Sequence, residues 1–573
     1  PWTENTVNRA FESDQEAFIV QIQNTLTFTP KINDKVEFQG VAKLATNDKR
    51  TEAFSGMSSN TASIYLTDLS NPSRLISPNS GFTQDRSMQG TLLAHWKFLD
   101  RYIIDAILNE EGNSRFGEGH RFGLFPSVSA RWRVSGESFL KDVKFLNDFS
   151  LRAGYGVSGK APDKNYLYYN RYNSFNYTYL DDLGVYPSSI ELKDLRWERT
   201  GELNLGLNLI MFNNRINIDF DWYNKTTNDL MFPGVGIPNT SGVGSIYMNV
   251  GSMSNKGWEL SVFTKPYRTA DLETDFRFNL SRSQNMVRHL SENVPTSITP
   301  TAANGKYMAR IQEGNPLGSF YGYRYTGVYL NQDETIARDA SGNKIYTYNE
   351  RGERIPVQMK LWYPNPGYEF EAGDAKYEDI NHDGNIDYMD IVYLGDANPL
   401  LLGGFGPSIR YKHVSLDCYF YFRYGFDIVN QTKMQMENMY YFDNQSTATL
   451  RRWRQPYENP ADAPTDLLPR ALYRKGYNWL GSDRFVEDGS FLKFKSLTLR
   501  YNFSREWLKK ISLSNASVYI TAYNLYTWTN YTGMNPEINM RNIASAGELY
   551  SIGYDTSKAP SDIQFTFGLN VTF

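Results

Sequence analysis

Residues 562–573 read Asp562-Ile-Gln-Phe-Thr-Phe-Gly-Leu-Asn-Val-Thr-Phe573. Side chains of an extended strand alternate with period two. Ile563, Phe565, Phe567, Leu569, Val571 and Phe573 therefore share one face, and Gln564, Thr566, Gly568, Asn570 and Thr572 share the other. The first face is apolar to its end, and the second carries no charge after Asp562. A ribbon that is oily on one side and polar on the other suits a strand set between acyl chains and a wet lumen.

The same alternation recurs upstream. Leu203, Leu205, Leu207 and Leu209 alternate with Glu202, Asn204, Gly206 and Asn208, and Ile216, Ile218, Phe220 and Trp222 with Asn217, Asp219 and Asp221. Asn213-Asn214 lies between these two segments and predicts a hairpin turn. Val414–Phe422, Leu497–Phe503 and Phe276–Leu280 repeat the pattern. A soluble β-sandwich or propeller also alternates. Segments of about ten residues, with charges in mid-strand on the polar face only, fit tilted membrane strands better. About sixteen strands are expected, among them Val36–Ala45, Met88–Phe98, Gly318–Tyr329, Val414–Tyr424, Phe491–Phe503 and Asp562–Phe573. Short connections such as Leu99–Arg101 and Asn213-Asn214 contrast with long ones at 46–87, 158–198, 286–317, 330–405, 425–490 and 526–561. That contrast matches the periplasmic and extracellular ends of an outer-membrane barrel. The expected fold is all-β: a large antiparallel transmembrane barrel with long extracellular loops.

Composition narrows the function. Aromatic residues make up 15% of the 573, including 41 Tyr, 34 Phe and 11 Trp, as interfacial girdles require. Mean hydropathy is −0.53, and no run is long and apolar enough for a membrane helix. A net charge of −4 offers no basic field for nucleic acid. Cys418 is the single cysteine, so internal disulfides are excluded. His95, His120, His289, His382 and His413 show no zinc-ligand spacing. Neither a GxSxG elbow nor a phosphate-binding glycine loop is present, and an enzyme is not expected.

The sharpest local motif is Asp379-Ile-Asn381-His-Asp383-Gly384-Asn385-Ile386-Asp387-Tyr-Met-Asp390. Oxygen-bearing side chains stand at positions 1, 3, 5 and 9 of a twelve-residue loop, with Gly at 6 and an acid at 12. Hard cations take six to eight oxygens, and alternate positions of a tight loop aim them inward. Asp379, Asn381, Asp383, Asn385 (by its carbonyl), Asp387 and Asp390 are the expected ligands of a structural Ca²⁺. The bland alternative is an acidic, turn-rich surface loop without metal.

Several stretches resemble the SusC/RagA-type TonB-dependent transporters of the Bacteroidetes, in order from about residue 90 to the end. They include Phe125-Pro-Ser-Val-Ser-Ala-Arg-Trp-Arg133, Leu151-Arg-Ala-Gly-Tyr-Gly-Val-Ser-Gly159 and Leu195-Arg-Trp-Glu-Arg-Thr200. Asn249-Val-Gly-Ser-Met-Ser-Asn-Lys-Gly-Trp-Glu-Leu260, Gly373-Asp-Ala-Lys-Tyr-Glu-Asp379 and Val486-Glu-Asp-Gly-Ser-Phe-Leu-Lys-Phe-Lys495 continue the series. The family is similar throughout in having a TonB-contact segment, a plug domain and a closed barrel of about 22 strands. Residues 1–573 resemble the barrel region only; signal peptide, TonB box, plug and first barrel strands have no counterpart here. The resemblance implies an outer-membrane location and import of oligosaccharides, or peptides, driven by TonB. It also implies a SusD-like surface lipoprotein as partner. Trp453, Tyr457, Tyr477 and Trp479 could stack on sugar rings, although the plainer reading of each taken singly is that it packs the loop 425–490 against itself or a partner. A structural barrel that only docks surface lipoproteins is the alternative function, and a secreted glycan-binding β-protein a third.

Overall fold

The computed structural model describes residues 9–59, 65, 74–75, 78–179, 182–237, 240, 242–243, 245–291, 303–308, 310–362, 367–538 and 552–573. Strands dominate it, with two short α-helices, Gln431–Met436 (α1) and Arg505–Lys509 (α2). Seventeen strands share one sheet. Setting aside the short Lys31–Asn33 and Arg74–Leu75, its strands are β1 (Arg9–Phe28), β2 (Val36–Ser59), β3 (Asn79–Phe98), β4 (Tyr102–Asn113) and β5 (Phe122–Arg133). There follow β6 (Leu146–Lys160), β7 (Glu198–Met211), β8 (Ile216–Asn228), β9 (Gly251–Arg268) and β10 (Leu272–Leu290). The last are β11 (Leu401–Tyr411), β12 (Val414–Tyr424), β13 (Phe491–Asn502), β14 (Asn515–Thr529) and β15 (Gln564–Thr572).

The chain divides into two compact units. The first comprises Pro1–Leu140, Ser150–Leu205 and Lys225–Gly251. Its strands β1 to β5 pair antiparallel in sequence order, and Ser127–Arg133 of β5 continue onto Ser150–Gly156 of β6. The second comprises Lys141–Phe149, Gly206–Asn224 and Ser252–Phe573. There β10 to β15 form an antiparallel meander. One end of that meander closes with tight turns, as at Lys412-His413 between β11 and β12. The other end carries long folded segments, as at 425–490 between β12 and β13.

Side-chain periodicity explains the wall. The expected apolar faces are exposed: Phe567 keeps 76% of its surface and Leu499 47%. Phe405, Phe420 and Phe494 stack across β11, β12 and β13 with centroids 4.8 and 4.4 Å apart. Phe494 has the wrong parity to join Leu497 and Leu499. A β-bulge at Lys495 corrects it: Tyr419 faces Ser496, and the next residue, Phe420, faces Phe494. Such a bulge re-aims every side chain beyond it. Lys493 thus turns to the polar side, where it is buried and ion-paired to Glu537 at 2.5 Å.

Two expectations need correction. Strands β2 and β3 run well into the segment 46–87, which alternation alone reads as loop. Asp48, Lys49, Arg50 and Glu52 erase the apolar period there, yet the ladder continues from Ala45–Gln89 to Ser55–Asn79. Asp48 accepts from Gln84 at 2.7 Å and from Arg86 at 2.9 Å across it. Gly318–Tyr329 is not a wall strand. It forms Ser319–Gly322 and Tyr325–Val328, which pair with Val392–Asp396 and Ala375–Tyr377 in separate small sheets. Phe320, Tyr321 and Tyr323 are all buried, so the segment packs on both faces.

A charge should distinguish the two faces of the wall. Leu499→Arg should destabilise the protein in lipid by about 2–4 kcal/mol. Thr566→Arg, on the polar face of β15, should cost under about 1 kcal/mol. Urea unfolding of the lipid-embedded protein, followed by heat-modifiable gel mobility, reads both.

Candidate functional site

The acidic loop 379–390 lies in the second unit. It leaves the short strand Ala375–Tyr377, and Asn385–Ile386 within it pairs parallel with Lys360–Leu361. Ile386 and Ile391 are buried in a core with Tyr321, Tyr323, Tyr329, Leu361, Phe370 and Tyr377. These apolar anchors hold an otherwise polar turn on the protein. Gly384 has φ +84°, the left-handed backbone that glycine adopts without strain.

The carboxylates face backbone amides. Asp379 accepts from the N–H groups of Asp383 (3.2 Å) and Gly384 (2.8 Å), and Asp383 from that of Asn385 (2.8 Å). Asp387 accepts from the Met389 N–H at 2.7 Å, and Asp390 from the Asp387 N–H at 2.9 Å. The Asp390 bond, together with the Asp390 N–H on the Asp387 side chain, forms a capping box on the 3₁₀ turn Tyr388–Asp390. Asp390 also accepts from the Ile380 N–H at 2.8 Å, tying the two ends of the loop together. Among the described residues, no three His, Cys, Asp or Glu side chains stand together in a metal-holding group. The donor set has the oxygen chemistry of a hard-cation site, with its side chains turned to amides.

Burial dominates the electrostatics. It pushes the Asp390 carboxyl up to about 6; the two backbone donors oppose the shift, and Asp379 and Asp387 add to it. Burial likewise raises Asp379, against its bonds to the loop amides. Tyr323, 1% exposed, senses both Asp390 and Asp387, which reinforce the upward shift that burial gives its phenol. Among the described residues its hydroxyl has no hydrogen-bond partner.

A second polar cluster, which the sequence did not single out, holds the neighbouring segments. Asp374 is fully buried, accepting from Arg470 Nε at 2.8 Å, Tyr368 Oη at 2.7 Å and the Glu371 N–H at 3.0 Å. Arg470 also reaches Glu371 at 2.7 Å. Nearly 100 residues separate Asp374 from Arg470, and no local pattern pairs them.

The four expected sugar-stacking residues are half-buried and hold their loops. Trp453 Nε1 and the Tyr457 N–H both donate to the Leu330 carbonyl, at 3.3 and 3.1 Å. The Tyr477 ring lies 5.1 Å from Tyr368, and that of Trp479 6.0 Å from Tyr440. A more open aromatic surface stands at Phe442, 88% exposed, with Tyr473 stacked on it at 4.5 Å. Its signal was the run Tyr440-Tyr441-Phe442 before the polar Asp443-Asn444-Gln445.

With this geometry in view, comparison with known proteins is informative. The family model described as TonB dependent receptor-like, beta-barrel, matches residues 3–379. TonB-dependent receptor P3 of Formosa agariphila is 29% identical over 486 residues, covering 84% of this chain and 45% of that protein. TonB-dependent receptor SusC of Bacteroides thetaiotaomicron is 27% identical over 497 residues, covering 84% and 43%. The structure of the RagAB peptide transporter matches 99% of this chain and 56% of that one, with a TM-score of 0.78 at 22% identity. The chain spans about half the length of the curated relatives it matches.

Asp374→Ala should leave the Arg470 and Tyr368 donors without their acceptor. A loss of about 1–3 kcal/mol is expected, tempered because Arg470 is partly solvated. Hydrogen exchange should quicken at 368–377 and 470–478 and stay unchanged in β10 to β15.

Proposed function

The chain belongs to the TonB-dependent receptor-like β-barrel family, and from that premise we propose that it serves active import across the bacterial outer membrane. Its cargo is an oligosaccharide, with peptides as the second class. A SusD-like surface lipoprotein covers the long-loop end, and TonB supplies the work. The asymmetry of the second unit carries this reading. The tight turns 269–271 and 412–413 and the short helical connection 503–514 lie at one end of the meander, and the long segments 291–400, 425–490 and 530–563 connect its strands at the other. A folded loop assembly over a polar strand face suits capture of a wet, amphipathic polymer. Kinship with SusC, and the fold shared with a structure described as a peptide transporter, support the family of functions and leave both cargo classes in play. Trp453, Tyr457, Tyr477 and Trp479, each half-buried, would contribute the part of the side chain that remains accessible.

Import has a direct test. Cells lacking the gene should lose uptake of one fluorescently labelled cargo class, oligosaccharide or peptide, and inactivation of TonB should abolish the same uptake. Unchanged uptake of both classes contradicts the reading and favours a docking barrel.

The same proposal includes a structural Ca²⁺ in the loop 379–390. Its support is the donor spacing, the left-handed Gly384 and the Asp390 carboxylate tying the loop ends. Asp379, Asp383 and Asp387 each accept from loop amides, and a carboxylate with two oxygens can keep such a bond while offering a further lone pair to the ion. The ion would stiffen the loop and take no part in chemistry. Asp379→Ala combined with Asp383→Ala should make the segment 330–405 protease-sensitive in calcium buffer, with cleavage at least about tenfold faster. Equal cleavage of wild type and variant, with and without chelator, contradicts an ion there.

A further inference from the structure

At the turn between β13 and β14 the chain forms α2. Leu508 is buried and fixes the helix to the wall. Trp507 on the helix and Ile511 just beyond its end are 54% and 51% exposed. The Trp507 ring stacks on Phe503 at 5.4 Å, Phe503 meets Tyr501 at 5.2 Å, and Tyr501 lies 6.0 Å from His413 of the neighbouring turn. Tyr501 and Phe503 continue the apolar face of Leu497 and Leu499. The oily side of the wall thus ends in a row of aromatic rings.

Cations border this row. Segment 504–514 carries Arg505, Lys509 and Lys510 against one acid, Glu506, and all three cations are exposed. None of them makes an ion pair among the described residues. Lys412, in the next turn, lies over the Tyr411 ring at 5.5 Å. Indole and phenol rings favour the boundary between acyl chain and water, and long cationic stems extend from there to the phosphate level. A basic cluster at that depth attracts anionic headgroups, whereas one in open water needs no such apolar neighbour.

We propose that α2 and its flanking turn bind the phosphodiester headgroup of an anionic phospholipid in the leaflet on the short-turn side. Trp507, Phe503 and Ile511 lie along its acyl chains. This site rests on the membrane reading given above. Its ligand is a lipid, because the aromatic row continues the lipid-facing surface and a free phosphate would leave those rings unmatched.

The test uses the full-length protein in nanodiscs of phosphatidylcholine with one-fifth phosphatidylglycerol. Lipid retained after partial delipidation is counted by native mass spectrometry. Wild type should retain phosphatidylglycerol in preference to phosphatidylcholine. R505Q/K509Q/K510Q should lose that preference by about fivefold per charge removed, with heat-modifiable gel mobility unchanged. The charge-preserving variant R505K/K509R/K510R should retain it. A wild type that enters the nanodisc without lipid preference overturns this site alone, as does a triple glutamine variant that matches wild type. Inorganic phosphate that displaces phosphatidylglycerol at equal concentration also overturns it. A wild type that fails to enter the bilayer overturns the membrane reading and this site with it.

Discussion

One constraint governs the rest of the molecule. Each wall strand must satisfy its backbone through its neighbours while its side chains meet two different solvents. Hydrocarbon offers no partner for an open N–H or C=O, so the ladder has to be continuous. In the first unit it runs unbroken from Val36–Phe98 to Ser55–Asn79 between β2 and β3. Because those bonds come from the main chain, side-chain identity is free to alternate. The chain can therefore be apolar on one face, charged on the other, and still have a mean hydropathy below zero.

The long segments solve a different problem. They are not parts of the large sheet, yet they bury a core. Tyrosine does much of this, because one side chain both fills volume and closes a backbone account. Tyr307 donates to the Ser482 carbonyl at 2.7 Å, and Tyr377 donates to the Tyr477 carbonyl while accepting from the Leu480 N–H. Tyr531 donates to buried Asp555 at 2.7 Å. The acidic loop is fastened to this core by Ile386 and Ile391, so its polar turn is held in place whether or not an ion is bound.

What the sequence made legible follows from how far each signal reaches. Alternation acts between residues two apart, so the wall strands stood out where one face was apolar, as at Val414–Tyr424. It faded at Asp48–Glu52, where both faces are polar and the ladder bonds leave no compositional trace. It misread Gly318–Tyr329, because a segment buried on both faces also looks rich in aromatic residues. At Phe491–Lys493 the bulge at Lys495 inverted the parity, a change that no composition announces. In the candidate site the twelve-residue spacing was visible, since it is local. The Asp374–Arg470 contact was not, because it joins residues on distant segments. Trp453, Tyr457, Tyr477 and Trp479 stood out as loop aromatics, but only the fold shows that the Trp453 indole bonds Leu330 and that Tyr477 and Trp479 pack on Tyr368 and Tyr440.

The central claim is that the apolar faces of the wall touch lipid. It is tested most directly by a nitroxide scan of residues 563–573 in the full-length protein, with Cys418 replaced by Ser and the label read in bilayers. Oxygen, which partitions into acyl chains, and a water-soluble nickel chelate should reach the labels with a period of two residues and in opposite phase. Oxygen should dominate at 565, 567, 569 and 571, and nickel at 566, 568 and 570. Equal access of nickel at odd and even positions, or labels at 565 and 567 shielded from both reagents, would show those faces packed against protein and contradict the account.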